Sequence, residues 1–279
     1  MQVTGDFHVH TNFCPHGSSD LMEEYVLEAI EKDLAYISFT EHAPLPVTFV
    51  DPTPEKDSAM RLEDVRSYIK EGNRLKEKYQ DKITIFIGFE VDFIEGYQGE
   101  TEQFLNQYGL ELDDAILSVH MLKAPNGSYV CLDYSAEEFK RIIGLFGSID
   151  AVYKAYYQTV KRAVTQDLGK YKPTRIGHLT LIEKFVTLFP STHPFDHELD
   201  ELLKLIKEKE YQLDLNTAGL YKEHCKRIYP NQSVIAKANQ LSIPFVTGSD
   251  SHVARTISRG FELLPEDILS SLPKRLGKR

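Results

Sequence analysis

Residues 3–10 read VTGDFHVH, a short β-branched and aromatic run closing on two histidines one residue apart. Alternation along a strand puts His8 and His10 on the same face, where two imidazoles can reach one metal ion. The same grammar, an apolar run of strand length that ends in a polar residue, recurs along the chain. YISFT from Tyr36 leads to Glu41 and His42, ITIFIGF from Ile83 to Glu90, and AILSV from Ala115 to His120. TRIG from Thr174 leads to His178, YQLDLN from Tyr211 to Asn216, and PFVTG from Pro244 to Asp250 and His252. Helix-like stretches separate these seven runs, the pattern of repeated βα units around a parallel sheet. The expected class is therefore α/β, with residues 1–279 forming a single barrel-like domain.

Outward from the strands, residues 19–34 place Leu21, Tyr25, Ile30 and Leu34 at near-helical spacing behind a Ser-Asp pair expected to cap the helix. Similar periodicity covers residues 62–79, 136–146, 151–168, 199–209 and 233–241. No fixed-period repeat or low-complexity linker divides the chain. Residues 43–60 stand apart, because Pro44, Pro46, Pro52 and Pro54 forbid a regular helix or a central strand. A loop of this length that follows a strand end usually serves a function, so it is expected to form a wall or lid of the site.

The composition narrows the function. With 42% hydrophobic residues among 279 and no apolar run near the roughly 20 that a membrane span needs, the chain is expected to be soluble. The start, MQVTGDFHVH, lacks the basic and then apolar stretches of a secretory signal, which makes a cytoplasmic location the expectation. Cys14, Cys131 and Cys225 are far apart and odd in number, as suits reduced, packed thiols. Thirty-two basic against 42 acidic residues leave a net charge of −10, which opposes binding to a nucleic acid. Bound cations are omitted from that sum and would still admit a small anion.

Side chains at the carboxyl ends of barrel strands converge on one opening. Seven of the ten histidines fall there or just beyond: His8, His10, His16, His42, His120, His178 and His252. Glu90 and Asp250 join them. Any one of these residues alone is as readily structural as functional. Together, seven imidazoles and two carboxylates on six of the seven strand ends exceed what one metal needs and suit two or three. Zinc, manganese, iron and cobalt all accept such ligands. Glu41 neighbours His42 and faces the other way, so it is expected to support a ligand. Asn216, at the strand end without a ligand, is a candidate to hydrogen-bond substrate or to cap the following segment. Lys184 and Arg255 are candidate phosphate-binding cations, with solvated surface charge as the alternative. His193, His197 and His224 lie outside the pattern and are read as surface residues.

DFHVHTNFCPHG from Asp6, FTEHAPLP from Phe39, GFEVDF from Gly88, LSVH from Leu117, IGHLTLIEKF from Ile176 and GSDSH from Gly248 span nearly the whole chain. In combination they resemble the polymerase-and-histidinol-phosphatase superfamily, and histidinol-phosphate phosphatases in particular. DPTPEKDSAMRLEDV in the proline-rich loop resembles the same branch. The resemblance implies a distorted seven-stranded βα barrel around a trinuclear centre of zinc, manganese or iron. It implies one metal on His8, His10, Glu90 and Asp250, with Glu90 bridging to a second on His120 and His178, and a third on His16, His42 and His252. The implied reaction hydrolyses L-histidinol phosphate to L-histidinol and phosphate, a step of histidine biosynthesis, by attack of a hydroxide that bridges two metals. Glu90, Asp250 and His252 would then be catalytic, with Asp250 a candidate acid for the leaving alcohol. Alternatives are another phosphomonoesterase or a phosphodiesterase, acting on a nucleotide or phosphotyrosine, and a metal-stabilised binding subunit without turnover. The expected partner is a small phosphomonoester, with no nucleic acid and no membrane; the oligomeric state stays open.

Overall fold

Each of the seven apolar runs becomes a strand, and the seven lie parallel in one sheet. The computed structural model describes residues 4–277, so Val3, where the first run begins, lies outside the described residues. The elements follow in the order β1 (Gly5–Val9), α1 (Met22–Glu31), β2 (Tyr36–His42), α2 (Val65–Tyr79), β3 (Thr84–Asp92), α3 (Gln98–Tyr108) and β4 (Asp114–Ser118). Next come β5 (Met121–Lys123), β6 (Tyr129–Cys131), α4 (Ala136–Phe146), α5 (Ile149–Thr165) and β7 (Arg175–Ile176). The chain then forms α6 (Asp196–Glu208), β8 (Gln212–Asn216), α7 (Gln232–Gln240) and β9 (Phe245–Gly248).

The strand order β1-β2-β3-β4-β7-β8-β9 brings the last strand back to the first. Val9 bridges Ser251 in parallel. Asp250 N–H donates to the His8 carbonyl at 2.8 Å, and His10 N–H to the Ser251 carbonyl at 2.9 Å. The sheet is thereby nearly closed into a barrel wrapped by helices. Every residue of β1, β4, β8 and β9 is buried, as parallel strands covered on both faces require. The distortion is greatest at β7, two residues long and registered on β4 through Leu117 and Ile176. A Cβ on Gly177 would stand 2.0 Å from Ser118 Oγ, so only glycine lets the segment before His178 approach β4. Arg175, 1% exposed, fills the barrel interior, donating to the Phe7 carbonyl at 2.9 Å and to Asp114 at 2.8 Å.

The helices follow the expected periodicity, with shifts that their caps explain. α5 starts two residues earlier than read because Ser148 Oγ accepts from Ala151 N–H. The Ser-Asp pair before α1 is not its cap. Asp20 instead accepts from Ala254 N–H at 2.8 Å, tying this segment to the chain after β9, while Glu24 reaches back to Leu21 N–H. Two features went unread in the sequence. α3, QGETEQFLNQY, buries only Thr101, Leu105 and Tyr108, too few apolar positions for a periodic signal. β5 and β6 are three residues each, joined through Gly127 at φ 87°.

The cysteines are buried and free, and among the described residues no helix is long and apolar enough to cross a membrane.

Candidate metal centre

The polar strand ends meet around Glu90, on β3. Its Oε2 lies 3.3 Å from His8 Nε2, 3.6 Å from His10 Nε2 and 3.2 Å from His42 Nδ1. Its Oε1 lies 2.8 Å from His178 Nε2 and 3.8 Å from His120 Nε2, two nitrogens that are themselves 3.1 Å apart. Asp250 Oδ1 stands 3.2 Å from His10 Nε2 and 3.8 Å from His8 Nε2. Asp250 reaches inward because its backbone adopts φ 54°, a left-handed conformation that aspartate tolerates. A Cβ on Gly248 would lie 2.3 Å from His8 Cβ, so the last residue of β9 leaves the room that His8 occupies.

Beside this pair of groups, the His10 ring stacks between His42 and His252, with centroids 4.2 Å and 4.1 Å away. The His16 ring is 5.1 Å from each of His42 and His252. Three sets of ligand atoms lie within 4.8 Å of one another: His8, His10 and Glu90; Glu90, His120 and His178; and His10, Cys14, His42 and His252. All nine residues picked out as ligands in the sequence therefore gather in one place. Cys14, read there as a packing residue, also lies against the third set.

The outer nitrogens of these rings explain where the inner ones point. His8 Nδ1 meets Asp214 at 2.8 Å, His10 Nδ1 meets Glu41 at 3.2 Å, and His120 Nδ1 meets Asp92 at 2.8 Å. His16 Nδ1 meets the Asp57 carbonyl at 2.7 Å and His252 Nδ1 the Asp250 carbonyl at 3.1 Å. In these five rings Nδ1 donates to an acceptor, which turns Nε2 toward the cluster; His42 instead turns Nδ1 to Glu90, and the outer Nδ1 of His178 has no partner among the described residues. The buried Nε2 atoms of His8, His10 and His252 have no hydrogen-bond partner. Leaving such atoms orphaned costs on the order of 1–3 kcal/mol each, and divalent cations would relieve that cost.

The charges agree with this reading. Burial pushes Glu90 upward, but His8, His120 and His178 hold its carboxyl well below the usual range. Asp250 behaves likewise: burial raises it, and His8 and His10 overcome that and keep it ionised. Burial lowers His10, yet Asp250 and Glu41 raise it to about 9; His120 reaches about 10 because Asp92 and Glu90 outweigh burial. His42 and His252 are pushed well down by burial and by the adjacent His10. Glu90 and Asp250 are thus ionised, and together with imidazoles whose protons a bound cation would displace they form the donor set that zinc, manganese and iron(II) accept.

The cluster forms the floor of a cleft of about 460 Å³. Thr53, Asp57 and Ser58 of the proline-rich loop line one wall, as expected of that segment. Lys184 lines another and bonds to Asp133 Oδ2 at 3.0 Å. Two sequence expectations need correcting. Asn216 is fully buried, and its amide nitrogen donates to Asp214 at 3.2 Å and Asp250 at 3.1 Å while its oxygen accepts from Ala218 N–H. With both donors engaged it positions Asp250 and caps the next turn, and has nothing left for substrate. Arg255 is exposed and does not line the cleft; Arg259, packed 3.6 Å over the Tyr221 ring, and Lys222 line it instead. Asp214 and Asp92 were also missed. Alternation carried the signal, since Asp92 lies two residues from Glu90 and Asp214 two from Asn216, each pair on one strand face. His193 and His197 are exposed, and His224 is partly exposed beside Glu223.

Comparison with known proteins is consistent along the chain. The PHP domain family model matches residues 6–218, and a PHP-associated model matches residues 229–277. A histidinol-phosphatase of Bacillus subtilis is 44% identical over 265 residues, 94% of this chain and 98% of that protein. A Deinococcus radiodurans protein assigned the same activity is 30% identical over 247 residues, 88% of this chain and 85% of its own. Among solved structures, a Listeria monocytogenes protein assigned as a histidinol phosphatase superposes with a TM-score of 0.90 at 40% identity, covering 94% of this chain and 100% of that one. The histidinol phosphate phosphatase of Lactococcus lactis, solved with zinc, L-histidinol and phosphate, shares the fold with a TM-score of 0.65 at 23% identity, covering 90% and 87%.

Proposed function

The chain belongs to the PHP domain family, and from that premise we propose that it hydrolyses L-histidinol phosphate to L-histidinol and phosphate at a cluster of two or three divalent cations. The observation that carries the reading is the convergence of buried, unpartnered Nε2 atoms from His8, His10 and His252 beside the ionised Glu90. The cations would be held by His8, His10, Glu90 and Asp250; by Glu90, His120 and His178; and by His16, His42 and His252. Zinc, manganese and iron fit this donor set. Bound there, they supply an acidified water as nucleophile and positive charge against the phosphate oxygens.

The chain's own residues do the rest. Glu90 faces one group of ligands with each of its oxygens and would hold cations bound at either group. Asp214, Glu41 and Asp92 fix the tautomer and orientation of His8, His10 and His120. Lys184, Lys222 and Arg259 lie in the wall of the cleft and face the phosphate dianion. Asp250, held ionised by His8 and His10, serves as a ligand and is a poor acid, so the departing alkoxide takes its proton from another donor. His252 acts through its Nε2 as a ligand of the same cluster.

The test compares phosphate release from L-histidinol phosphate, a nucleoside monophosphate and phosphotyrosine, with elemental analysis of the same protein. We expect two or three metals per chain and the highest kcat/KM for L-histidinol phosphate. Bound metal without hydrolysis of any ester would make the chain a binding subunit; preference for either other ester would move the substrate and keep the chemistry.

A further inference from the structure

Five carboxylates line the cleft: Asp57, Glu90, Asp92, Asp133 and Asp250. Four are engaged. Glu90 and Asp250 face the ligand histidines, Asp92 holds the His120 ring at 2.8 Å, and Asp133 pairs with Lys184 at 3.0 Å. Among the described residues, the Asp57 carboxylate has no cation and no hydrogen-bond donor against it; only its main-chain carbonyl is used, by His16.

The loop that carries Asp57 is held in place. Asp51 Oδ1 accepts from Thr53 N–H and Oγ1, both at 2.8 Å, and its Oδ2 accepts from Ser58 N–H at 3.1 Å and Oγ at 2.6 Å. His16 Nδ1 pins the Asp57 carbonyl at 2.7 Å. Asp57 is thus presented next to a ligand histidine by a backbone tied on both sides, which lowers the entropy lost on binding a ligand there. The basic side chains of the cleft, Lys184, Lys222 and Arg259, come from the segments after β7, β8 and β9, whereas Asp57 comes from the loop after β2. L-Histidinol phosphate has a matching polarity, a phosphate dianion at one end and an ammonium two carbons from the ester oxygen.

Building on the function argued above, we propose that the Asp57 carboxylate binds the substrate's ammonium and makes the proline-rich loop the element that selects amine-bearing phosphomonoesters. The reaction is unchanged; Asp57 decides which ester is held in register with the cluster. A charge-assisted hydrogen bond corresponds to roughly 10- to 100-fold in kcat/KM.

The test uses the full chain loaded with manganese(II), in wild-type form and as Asp57→Asn, after matching their metal content and melting temperature. Both are assayed on L-histidinol phosphate and on its deamino analogue, the same imidazolylpropyl ester without the amine. The wild type is expected to prefer the amine-bearing ester roughly 10- to 100-fold, and D57N to bring the two esters near parity through a higher KM for L-histidinol phosphate. Asp57→Glu, which keeps the charge, is expected to retain part of the preference. Equal loss on both esters overturns the proposal and makes Asp57 a support for His16; no loss on either overturns it as well. Should D57N fail to load metal, the wild-type ratio decides, and parity there refutes the assignment. A wild type that releases phosphate from neither ester refutes the underlying function, and this assignment with it.

Discussion

Replacing Glu90 by Gln removes one negative charge from the point where the strand ends meet. The two side chains are nearly isosteric, so the barrel, closed by main-chain bonds between β1 and the chain after β9, keeps its shape. What changes is electrostatic. Four Nε2 atoms lie between 2.8 and 3.8 Å of the Glu90 carboxylate, those of His178, His8, His10 and His120. Removing one partner from a buried, hydrogen-bonded charge cluster costs about 3–5 kcal/mol. At about 1.4 kcal/mol per decade, that is roughly a 100- to 3,000-fold loss of affinity for the cations on either side of Glu90. Phosphate release should fall by at least the same factor, because the neutral amide lacks the charge that both groups of ligands share. Calorimetric titration with manganese(II), elemental analysis after gel filtration and a steady-state phosphate assay together read the effect, with far-ultraviolet circular dichroism as the check on folding. E90Q protein that keeps wild-type metal content and turns over within about tenfold of wild type would refute the bridging role, since that loss is below the range calculated from the charge alone.

Two further outcomes follow from the same geometry. Asp214→Asn leaves His8 in place but replaces the acceptor at 2.8 Å from its Nδ1 with an amide that can present a donor; metal affinity or activity should drop roughly 10- to 100-fold, and an unchanged dissociation constant would show that Asp214 only fills space. In the metal-free protein, His10 and His120 stand at about 9 and about 10 against roughly 6.5 in the unfolded chain. A raised folded value contributes stability below about pH 6.5 that is lost as pH climbs through those values, so the chelated protein should melt lower from pH 7 to 10. Metal loading displaces the same protons, so apparent affinity should rise over that window; a falling affinity would contradict the assignment.

How far the site was readable varies with the kind of information each residue needed. Apart from His16, which lies in the loop after β1, the ligand histidines announced themselves because they stand at or just beyond the end of a buried apolar run, and a strand end is a local, sequence-encoded position. Lys184 could be placed in the cleft from its position after His178, but Arg255 could not be told from Arg259. Both follow β9 closely, and the short turns at residues 254–256 and 261–263 decide which one faces inward. Asn216 looked available for substrate because the strand pattern shows its face and not its neighbours. Asp20 looked like a helix cap for the same reason, and the chain after β9 claims it instead. α3 escaped because a helix that buries few apolar residues leaves little periodicity to detect.

Taken alone, the order of amino acids determined the α/β class, the seven strands and the residue types able to hold cations, because period, propensity and ligand chemistry are properties of short segments. Only the folded chain decided which nitrogen of each imidazole faces inward and which carboxylate stands behind His8, His10 and His120. His8 and Asp214 are 206 residues apart, and His10 and Glu41 are 31 apart. Such pairings depend on strand order, register and the closure of β9 against β1, which bring distant side chains within hydrogen-bonding reach and which no local pattern encodes.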